Sequence, residues 1–199
     1  MNDNRIRSIV SIAMLGALAG VLMFIKFPIP IAPSFYKLDF SDTACLVGGF
    51  ALGPLAAVLI CLIKNLINVI LEGTTTAFVG EISNFLMSCA LCVTAAAIYK
   101  KDHTKKGAIK SMIIGVIVLV IASALINYFI LIPAYVKFMN IPLEAIIGMG
   151  AKIFPNIDSL WKLVLLCTVP FNFIKGVSVC LITFIIYKRI SPLINGRKD

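Results

Sequence analysis

Charged side chains are scarce in this sequence. Only 14% of its 199 residues are charged, whereas 60% are hydrophobic. A water-soluble domain carries about 25% charged residues, and a chain of this length has too little interior to bury so large an apolar surplus. The composition therefore excludes an ordinary soluble domain and indicates a protein that is largely embedded in a lipid bilayer.

The chain also lacks the residues from which catalytic and nucleotide-hydrolysing sites are commonly built. Its single histidine, His103, stands among lysines in a polar segment, and no nucleophile, base and orienting group can be grouped with it. No G-x-x-x-x-G-K-[ST] motif is present, so the chain has no P-loop for ATP phosphates. We therefore expect neither an enzyme nor a pump driven by its own ATP hydrolysis.

Metal, cofactor and nucleic-acid sites are not indicated either. All six cysteines lie in apolar surroundings; Cys89 and Cys92 share a helix face, but a zinc motif needs further ligands that are missing here. The net charge of +9 comes from short basic runs between apolar stretches rather than from one basic helix face. The sequence predicts no metal site, no cofactor and no nucleic-acid partner.

Apolar segments of membrane-spanning length, about 17 to 25 residues, are what the sequence has in abundance. They predict an all-α polytopic membrane protein with one domain, residues 1–199, and six transmembrane helices. The predicted helices cover about residues 7–25, 40–53, 54–71, 80–99, 108–132 and 161–187. Gly53-Pro54 separates the second helix from the third, Pro133 ends the fifth, and Pro170 falls inside the sixth.

Lysine and arginine set the predicted orientation. Most of them fall in segments that lie on one side of the six predicted spans, together with both chain ends. The positive-inside rule therefore places both termini in the cytoplasm. Two long outer loops, 26–39 and 133–160, are rich in apolar residues and are expected to cap a ligand site. Partial insertion of these loops at the membrane interface is the alternative.

Several polar side chains interrupt the predicted spans. They are Lys64, Asn65, Asn68, Glu81, Asn84, Asn127, Asn172 and Lys175. Polar groups are costly in hydrocarbon, so they face a cavity or one another. Asn84, Asn127 and Asn172 fall in the outer halves of their spans, and amides both donate and accept hydrogen bonds. This pattern predicts a site for a neutral solute with many hydrogen-bonding groups; interhelical bonds that only fix the bundle are the alternative.

Small residues recur at a spacing of four in the first predicted helix. Ala13 and Ala17 form one pair, and Gly16 and Gly20 form another. Such spacing lets a second helix approach closely. The partner helix could belong to this bundle or to a separate subunit, and the spacing alone does not separate the two.

Six stretches together resemble one known family. They are KLDFSD at 37–42, GGFALGPLA at 48–56, KNL at 64–66, NFL at 84–86, LINYF at 125–129 and PFNFIKG at 170–176. The resemblance, which covers almost the whole chain, is to the riboflavin-specific S component of energy-coupling factor (ECF) transporters.

The resemblance implies a six-helix subunit of the cytoplasmic membrane that binds riboflavin from outside with high affinity and has no ATPase activity. It implies uptake together with a membrane coupling subunit and two ABC-type ATPases, with Ala13 and Ala17 matching the family's docking pattern. Binding of FMN or flavin analogues is left open. The expected ligand contacts are Asn127, Lys175, Leu38, Asn84, Glu81 and Asn172.

Three other functions are weighed against this one. The same fold could bind another vitamin, such as thiamin or biotin. A ligand-free structural membrane protein would use the polar residues only for helix association. A self-sufficient secondary transporter is disfavoured, because many such folds contain inverted repeats and the sequence has no convincing one.

Overall fold

Helices make up nearly all the regular structure of this computed structural model, which describes residues 3–74 and 76–195. The helices are α1 Asp3–Phe24, α2 Ser41–Leu52, α3 Pro54–Glu72, α4 Val79–Tyr99, α5 Lys105–Ile126, α6 Ile132–Phe138, α7 Leu143–Ala151, α8 Leu160–Leu163 and α9 Val169–Asn195. Two π-helical segments, π1 Asn127–Leu131 and π2 Val164–Thr168, join α5 to α6 and α8 to α9. A short antiparallel hairpin pairs β1 Phe27–Pro28 with β2 Lys37–Leu38.

Among the residues that the structure describes, five helical stretches are long and apolar enough to cross a membrane. They are Arg5–Phe24, Pro54–Glu72, Val79–Tyr99, Lys105–Phe138 and Leu160–Ile186. The remaining predicted span corresponds to α2, whose 12 residues cover roughly 18 Å at 1.5 Å per residue, against about 30 Å of hydrocarbon. The all-α, multi-pass class is thus confirmed, while the count of six crossings stays a prediction.

The break between α2 and α3 follows from the Gly53-Pro54 pair. Gly53 has φ of 95°, a left-handed region that glycine enters without strain. Its N–H closes α2 by donating to the carbonyl of Gly49. Pro54 then begins α3, where its missing N–H would have had no helical partner.

Pro133 does not end the fifth helix, so this prediction is wrong. The helical stretch continues from α5 through π1 and into α6, as far as Phe138. A proline inside a regular helix removes one hydrogen bond and collides with the carbonyl four residues before it. Here π1 ends at Leu131, two residues before Pro133, and the wider π turn changes that register. Pro170 follows π2 in the same way.

The predicted loop 133–160 is also more ordered than expected. It contains α6 and α7. Ile146 of α7 and Ile157 beyond it are buried in an apolar cluster that includes Tyr135 and Leu163. This segment is therefore packed onto the ends of the long helices and is not an irregular loop.

The two small-residue pairs of α1 have different surroundings. Gly16 and Gly20 are buried against α3: a Cβ atom built on Gly16 would lie 2.6 Å from the Ile63 side chain, and one on Gly20 would lie 2.8 Å from Ile67. Ala13 and Ala17 are exposed on another face of α1. The glycine pair therefore packs within the bundle, whereas the alanine pair points away from it.

Candidate ligand-binding site

A cavity of about 540 Å³ opens at one end of the helix bundle. The C-terminal ends of α1 and α3 and the N-terminal ends of α4 and α9 meet there, together with the segment between α1 and α2. Its lining residues are Met23, Lys26, Phe35, Tyr36, Lys37, Asp39, Asp42, Asn68, Glu72, Gly73, Thr76, Gly80, Glu81, Ser83, Asn84, Met87, Ser88, Leu119, Leu131, Tyr135, Phe171, Asn172 and Lys175. The volume is within the range of about 300–1,000 Å³ typical of small-molecule sites.

Four aromatic side chains line part of the cavity. The rings of Phe35 and Tyr36 lie with their centroids 4.5 Å apart, and Tyr36 lies 5.2 Å from Phe171. Tyr135 meets Phe35 edge-on at 6.3 Å. Aromatic faces at these distances form a continuous apolar surface on which a flat ring can stack.

The polar part of the cavity wall comes mainly from α3 and α4. Asn68 donates a 2.8 Å hydrogen bond to Glu72, and Lys26 forms an ion pair with the same carboxylate. Glu81 accepts a 2.6 Å hydrogen bond from the Thr76 hydroxyl. These carboxylates keep further lone pairs, so they can accept hydrogen bonds from hydroxyl groups of a ligand.

Ser83 provides an unused polar group in this wall. The residue is 1% exposed and lines the cavity. Its hydroxyl has no hydrogen-bond partner among the residues that the structure describes. Buried hydroxyls are nearly always hydrogen-bonded, and an exception calls for a specific cause. The Ser83 hydroxyl is therefore a candidate partner for a polar group of a ligand in the cavity.

Two lysines and two aspartates form a buried ionic cluster beside the cavity, here called the charge quartet: Asp39, Asp42, Lys64 and Lys175. Lys64 Nζ lies 2.5 Å from Asp42 Oδ1, and Lys175 Nζ lies 2.9 Å from Asp39 Oδ2. Lys175 is also 3.6 Å from Asp42 Oδ2. Burying these charges is tolerated because each has an opposite charge in contact.

Tyr36 links the first loop to both π-helical segments. Its hydroxyl donates a 2.7 Å hydrogen bond to Asn127 Oδ1, and it lies 2.7 Å from the hydroxyl of Thr168. Asn127 begins π1 and Thr168 ends π2. The Asn127 amide group also donates to the carbonyl of Ser123 at 2.8 Å. Asn127 is therefore satisfied within the protein and lies behind Tyr36 as seen from the cavity.

Comparison with known proteins identifies the family. The sequence matches the profile of the family described as "ECF transporter, substrate-specific component" over residues 7–187. The chain belongs to this family. It is a multi-pass membrane subunit of a transporter rather than an enzyme.

Full-length relatives and a solved structure agree with this assignment. The S component is 35% identical to the "Riboflavin transporter RibU" of Staphylococcus aureus (strain TCH60), with 96% of this chain and 94% of the relative covered. It is 29% identical to the "Riboflavin transporter FmnP" of Bacillus subtilis (strain 168), with 98% and 97% covered. It superposes with a TM-score of 0.75 on a structure described as "Structure and mechanism of the S component of a bacterial ECF transporter", at 34% identity and 95% and 98% coverage.

The structure brings four of the six predicted contact residues of the S component to the cavity wall. Glu81, Asn84, Asn172 and Lys175 line it. The other two lie elsewhere. Asn127 is fully buried against Tyr36. Leu38 is half-buried in a small apolar cluster with Tyr36 and Phe171, next to the cavity rather than in its wall.

The two predicted capping loops also differ. The segment between α1 and α2 contributes Lys26, Phe35, Tyr36, Lys37 and Asp39 to the cavity wall. The segment after Pro133 contributes Tyr135 alone. The expectation that both loops cap the site therefore applies chiefly to the first, because the second packs into its own apolar cluster.

Sequence reasoning missed the acidic half of the charge quartet. Asp39 and Asp42 belong to the KLDFSD stretch, but the sequence did not predict that either of them contacts a ligand. A signal was available: Lys64 and Lys175 both fall inside apolar spans, where a lysine requires a counter-ion. Asp39 and Asp42 flank the start of another apolar span and are the acidic residues best placed to provide one. Ser83 and Tyr36 carried no comparable signal.

One group near the site has the donor atoms for a metal ion. Ligand atoms of Asp42, Cys45 and Cys61 lie within 4.8 Å of one another, all buried. Asp42, however, already contacts the ammonium groups of Lys64 and Lys175. Two adjacent positive charges oppose the binding of a cation, so this geometry does not favour a metal site in the S component.

Proposed function

We propose that this chain is the riboflavin-binding S component of an ECF transporter and takes part in riboflavin uptake. Two full-length relatives carry the name riboflavin transporter. The chain has no P-loop motif, so the energy for transport comes from other subunits.

The observation that carries the proposal is the match between the cavity and the chemistry of riboflavin. Riboflavin has a flat tricyclic ring, one edge of which alternates hydrogen-bond donors and acceptors, and a polyhydroxyl chain. The cavity combines the aromatic side chains Phe35, Tyr36, Tyr135 and Phe171 with amide, hydroxyl and charged groups. The aromatic side chains would stack on the ring, and the polar groups would bind its edge and the chain.

Individual contacts follow from the position of each group. Lys175 and Asn172 are expected to bind the polar edge of the ring. Glu81, Asn84 and the unpartnered hydroxyl of Ser83 are expected to bind hydroxyl groups or the remaining ring atoms. Leu38 supports the aromatic side chains from behind.

Asn127 needs a rearrangement before it can take part in binding. Its acceptor oxygen is engaged by the hydroxyl of Tyr36, so a ligand reaches this amide only when Tyr36 moves. We expect riboflavin to replace the Tyr36 hydroxyl as the hydrogen-bond partner of Asn127. The same displacement would free the hydroxyl of Thr168.

We also propose the membrane topology. The chain forms a single domain that crosses the cytoplasmic membrane six times, with α2 as the short sixth crossing beside the five long ones. Both termini lie in the cytoplasm, as the distribution of lysine and arginine favours. The cavity then opens to the outside, because it lies at the end of the bundle where α1 finishes.

The partners are a membrane coupling subunit and two ABC-type ATPases. The exposed Ala13 and Ala17 face of α1 supports a docking role, since small side chains permit close helix approach and the glycine pair already serves the packing inside the bundle. Replacing Ala13 with leucine should weaken co-purification with the coupling subunit and leave riboflavin binding unchanged.

Purification followed by a riboflavin titration tests the function. Flavin absorbance in the purified protein, quenching of riboflavin fluorescence and a rise in thermal stability on adding riboflavin are the expected results, since a ligand that binds only the folded state must stabilise it. Thiamin and biotin serve as controls. Binding of one of these in place of riboflavin would assign another vitamin, and no response to any of them would refute ligand binding.

A further inference from the structure

The charge quartet ties three separate parts of the chain together beside the cavity. Asp39 precedes α2, Asp42 lies in the first turn of α2, Lys64 lies in α3 and Lys175 lies in α9. Asp39, Asp42 and Lys64 are at most 3% exposed, and Lys175 is 8% exposed. Asp39, Asp42 and Lys175 line the cavity, whereas Lys64 does not.

The two lysines of the charge quartet differ in how many hydrogen bonds they donate. An ammonium group has three N–H donors. Lys64 uses all three, donating to Asp42 at 2.5 Å, to the Ser41 hydroxyl at 3.0 Å and to the Ser88 hydroxyl at 2.8 Å. Among the described residues, Lys175 has a single hydrogen bond, to Asp39 at 2.9 Å. Lys175 therefore keeps donor capacity, and of the two lysines in the charge quartet it is the one that lines the cavity.

Asp39 fixes where that free donor lies. Its Oδ1 accepts hydrogen bonds from the backbone N–H and the hydroxyl of Ser41, so the carboxylate is held from one side. Its other oxygen holds Lys175. A lysine side chain has many rotamers, and contact with a fixed carboxylate restricts the ammonium group to one place.

The quartet is also electrically neutral, because two carboxylates balance two ammonium groups. A site for phosphate or carboxylate ligands usually presents cations without a counter-ion, so that the ligand supplies it. Here the counter-ions are built in. The available N–H of Lys175 consequently suits an uncharged acceptor, such as a ring carbonyl, better than an anion.

We propose that Asp39 is a positioning residue of the ligand site: it holds Lys175 so that one N–H faces the cavity, and the neutral quartet makes this part of the site select an uncharged carbonyl-type acceptor over an anionic ligand. The proposal rests on the proposed riboflavin function and adds a residue and a selectivity that the function alone does not require.

The test compares riboflavin with its phosphate ester, flavin mononucleotide, by fluorescence titration of purified variants at low salt. Asp39→Asn removes the negative charge that holds Lys175, which keeps only the longer ion pair to Asp42, and leaves the quartet with one positive charge in excess. We expect riboflavin affinity to fall about ten- to a hundredfold, the effect of a lost charge-assisted hydrogen bond. The preference should shift about three- to fivefold towards the phosphate ester, since its anionic group, at the far end of the polyhydroxyl chain, is attracted across the cavity by the excess positive charge.

Two further variants show whether this is positioning or general damage. Asp39→Glu keeps the charge and the acceptor and should restore most of the riboflavin affinity. Asp158→Asn is the matched control, because Asp158 is an exposed carboxylate that pairs with Lys162 outside the cavity; neither flavin should be affected.

A double variant separates contact from charge. Asp39→Asn with Lys64→Met lacks the contact to Lys175 but is neutral again. Riboflavin affinity should stay low while the preference between the two flavins returns to that of the wild type.

An Asp39→Asn protein with an unchanged ratio of the two affinities would overturn the proposal, and so would a double variant with wild-type riboflavin affinity. A wild-type protein that binds neither flavin would instead refute the riboflavin function, and the proposal with it.

Discussion

Replacing Tyr36 with phenylalanine removes one hydroxyl group and keeps the aromatic ring. That hydroxyl makes two buried contacts, at 2.7 Å to Asn127 and at 2.7 Å to Thr168. The ring's contacts with Phe35 and Phe171 depend on its shape and survive the change. The substitution therefore isolates the hydrogen bonds that close the first loop over the two π-helical segments.

The unliganded protein should lose stability. A buried polar group that is left without its partner costs about 1–3 kcal/mol. The hydroxyl of Thr168 can rotate towards another acceptor, whereas Asn127 Oδ1 loses the donor that it accepts from. We therefore expect the free energy of unfolding to fall by about 1–3 kcal/mol, measured by unfolding in detergent.

Riboflavin affinity should move in the opposite direction. If the ligand takes the place of the Tyr36 hydroxyl at Asn127, wild-type protein must break that hydrogen bond on binding, and the variant need not. Removing a cost of about 1.4 kcal/mol corresponds to tenfold tighter binding. Fluorescence titration should accordingly give about five- to tenfold higher affinity for Tyr36→Phe.

The control is Tyr128→Phe, in the residue next to Asn127. Tyr128 is 38% exposed and its ring packs on Phe129 rather than in the cavity, so both measurements should match the wild type. Weaker riboflavin binding by Tyr36→Phe would refute the reasoning, because it would make the tyrosine hydroxyl a ligand contact in place of a competitor.

Three other substitutions probe the site and the bundle. Ser83→Ala removes an unpartnered buried hydroxyl, so stability should hold while riboflavin affinity falls about fivefold; Ser111→Ala, whose hydroxyl bonds a helix carbonyl, should leave affinity unchanged. Gly16→Ala forces a methyl group to within 2.6 Å of α3 and should lower stability by about 1–3 kcal/mol, whereas Gly148→Ala, with open space around it, should not. Lys64→Met leaves a buried carboxylate with one cation fewer and should cost about 3–5 kcal/mol in thermal or chemical unfolding; a loss below 1 kcal/mol would contradict the buried ion pair.

Composition and apolar length determined the class of this protein. A bilayer needs long helices because every backbone polar group must be satisfied within the segment, so hydrophobic runs alone indicate where the long helices lie. The break between α2 and α3 at Gly53-Pro54 could also be predicted from the sequence, since positive φ and a missing N–H are local properties of those two residues.

The two prolines show where local rules fall short. Proline at 133 predicts a helix end, yet the helix continues because π1 precedes it. Whether a proline stops a helix or follows a π turn depends on the packing of neighbouring segments, and π1 and π2 each lie beside the Tyr36 hydroxyl through Asn127 and Thr168. No window of sequence around Pro133 or Pro170 contains that information.

The site was only half determined by the sequence. Buried lysines and amides could be recognised as costly in a membrane, which is why Lys175, Asn84 and Asn172 were expected at a cavity and are found in its wall. The residues that pair with these lysines and amides could not be predicted from the sequence in the same way. Asp39 meets Lys175 across 136 positions, and Tyr36 meets Asn127 across 91. Such pairings cost chain entropy and exist only because the packed helices bring distant segments together, so the tertiary structure alone decided which charges are neutralised and which donors remain for a ligand.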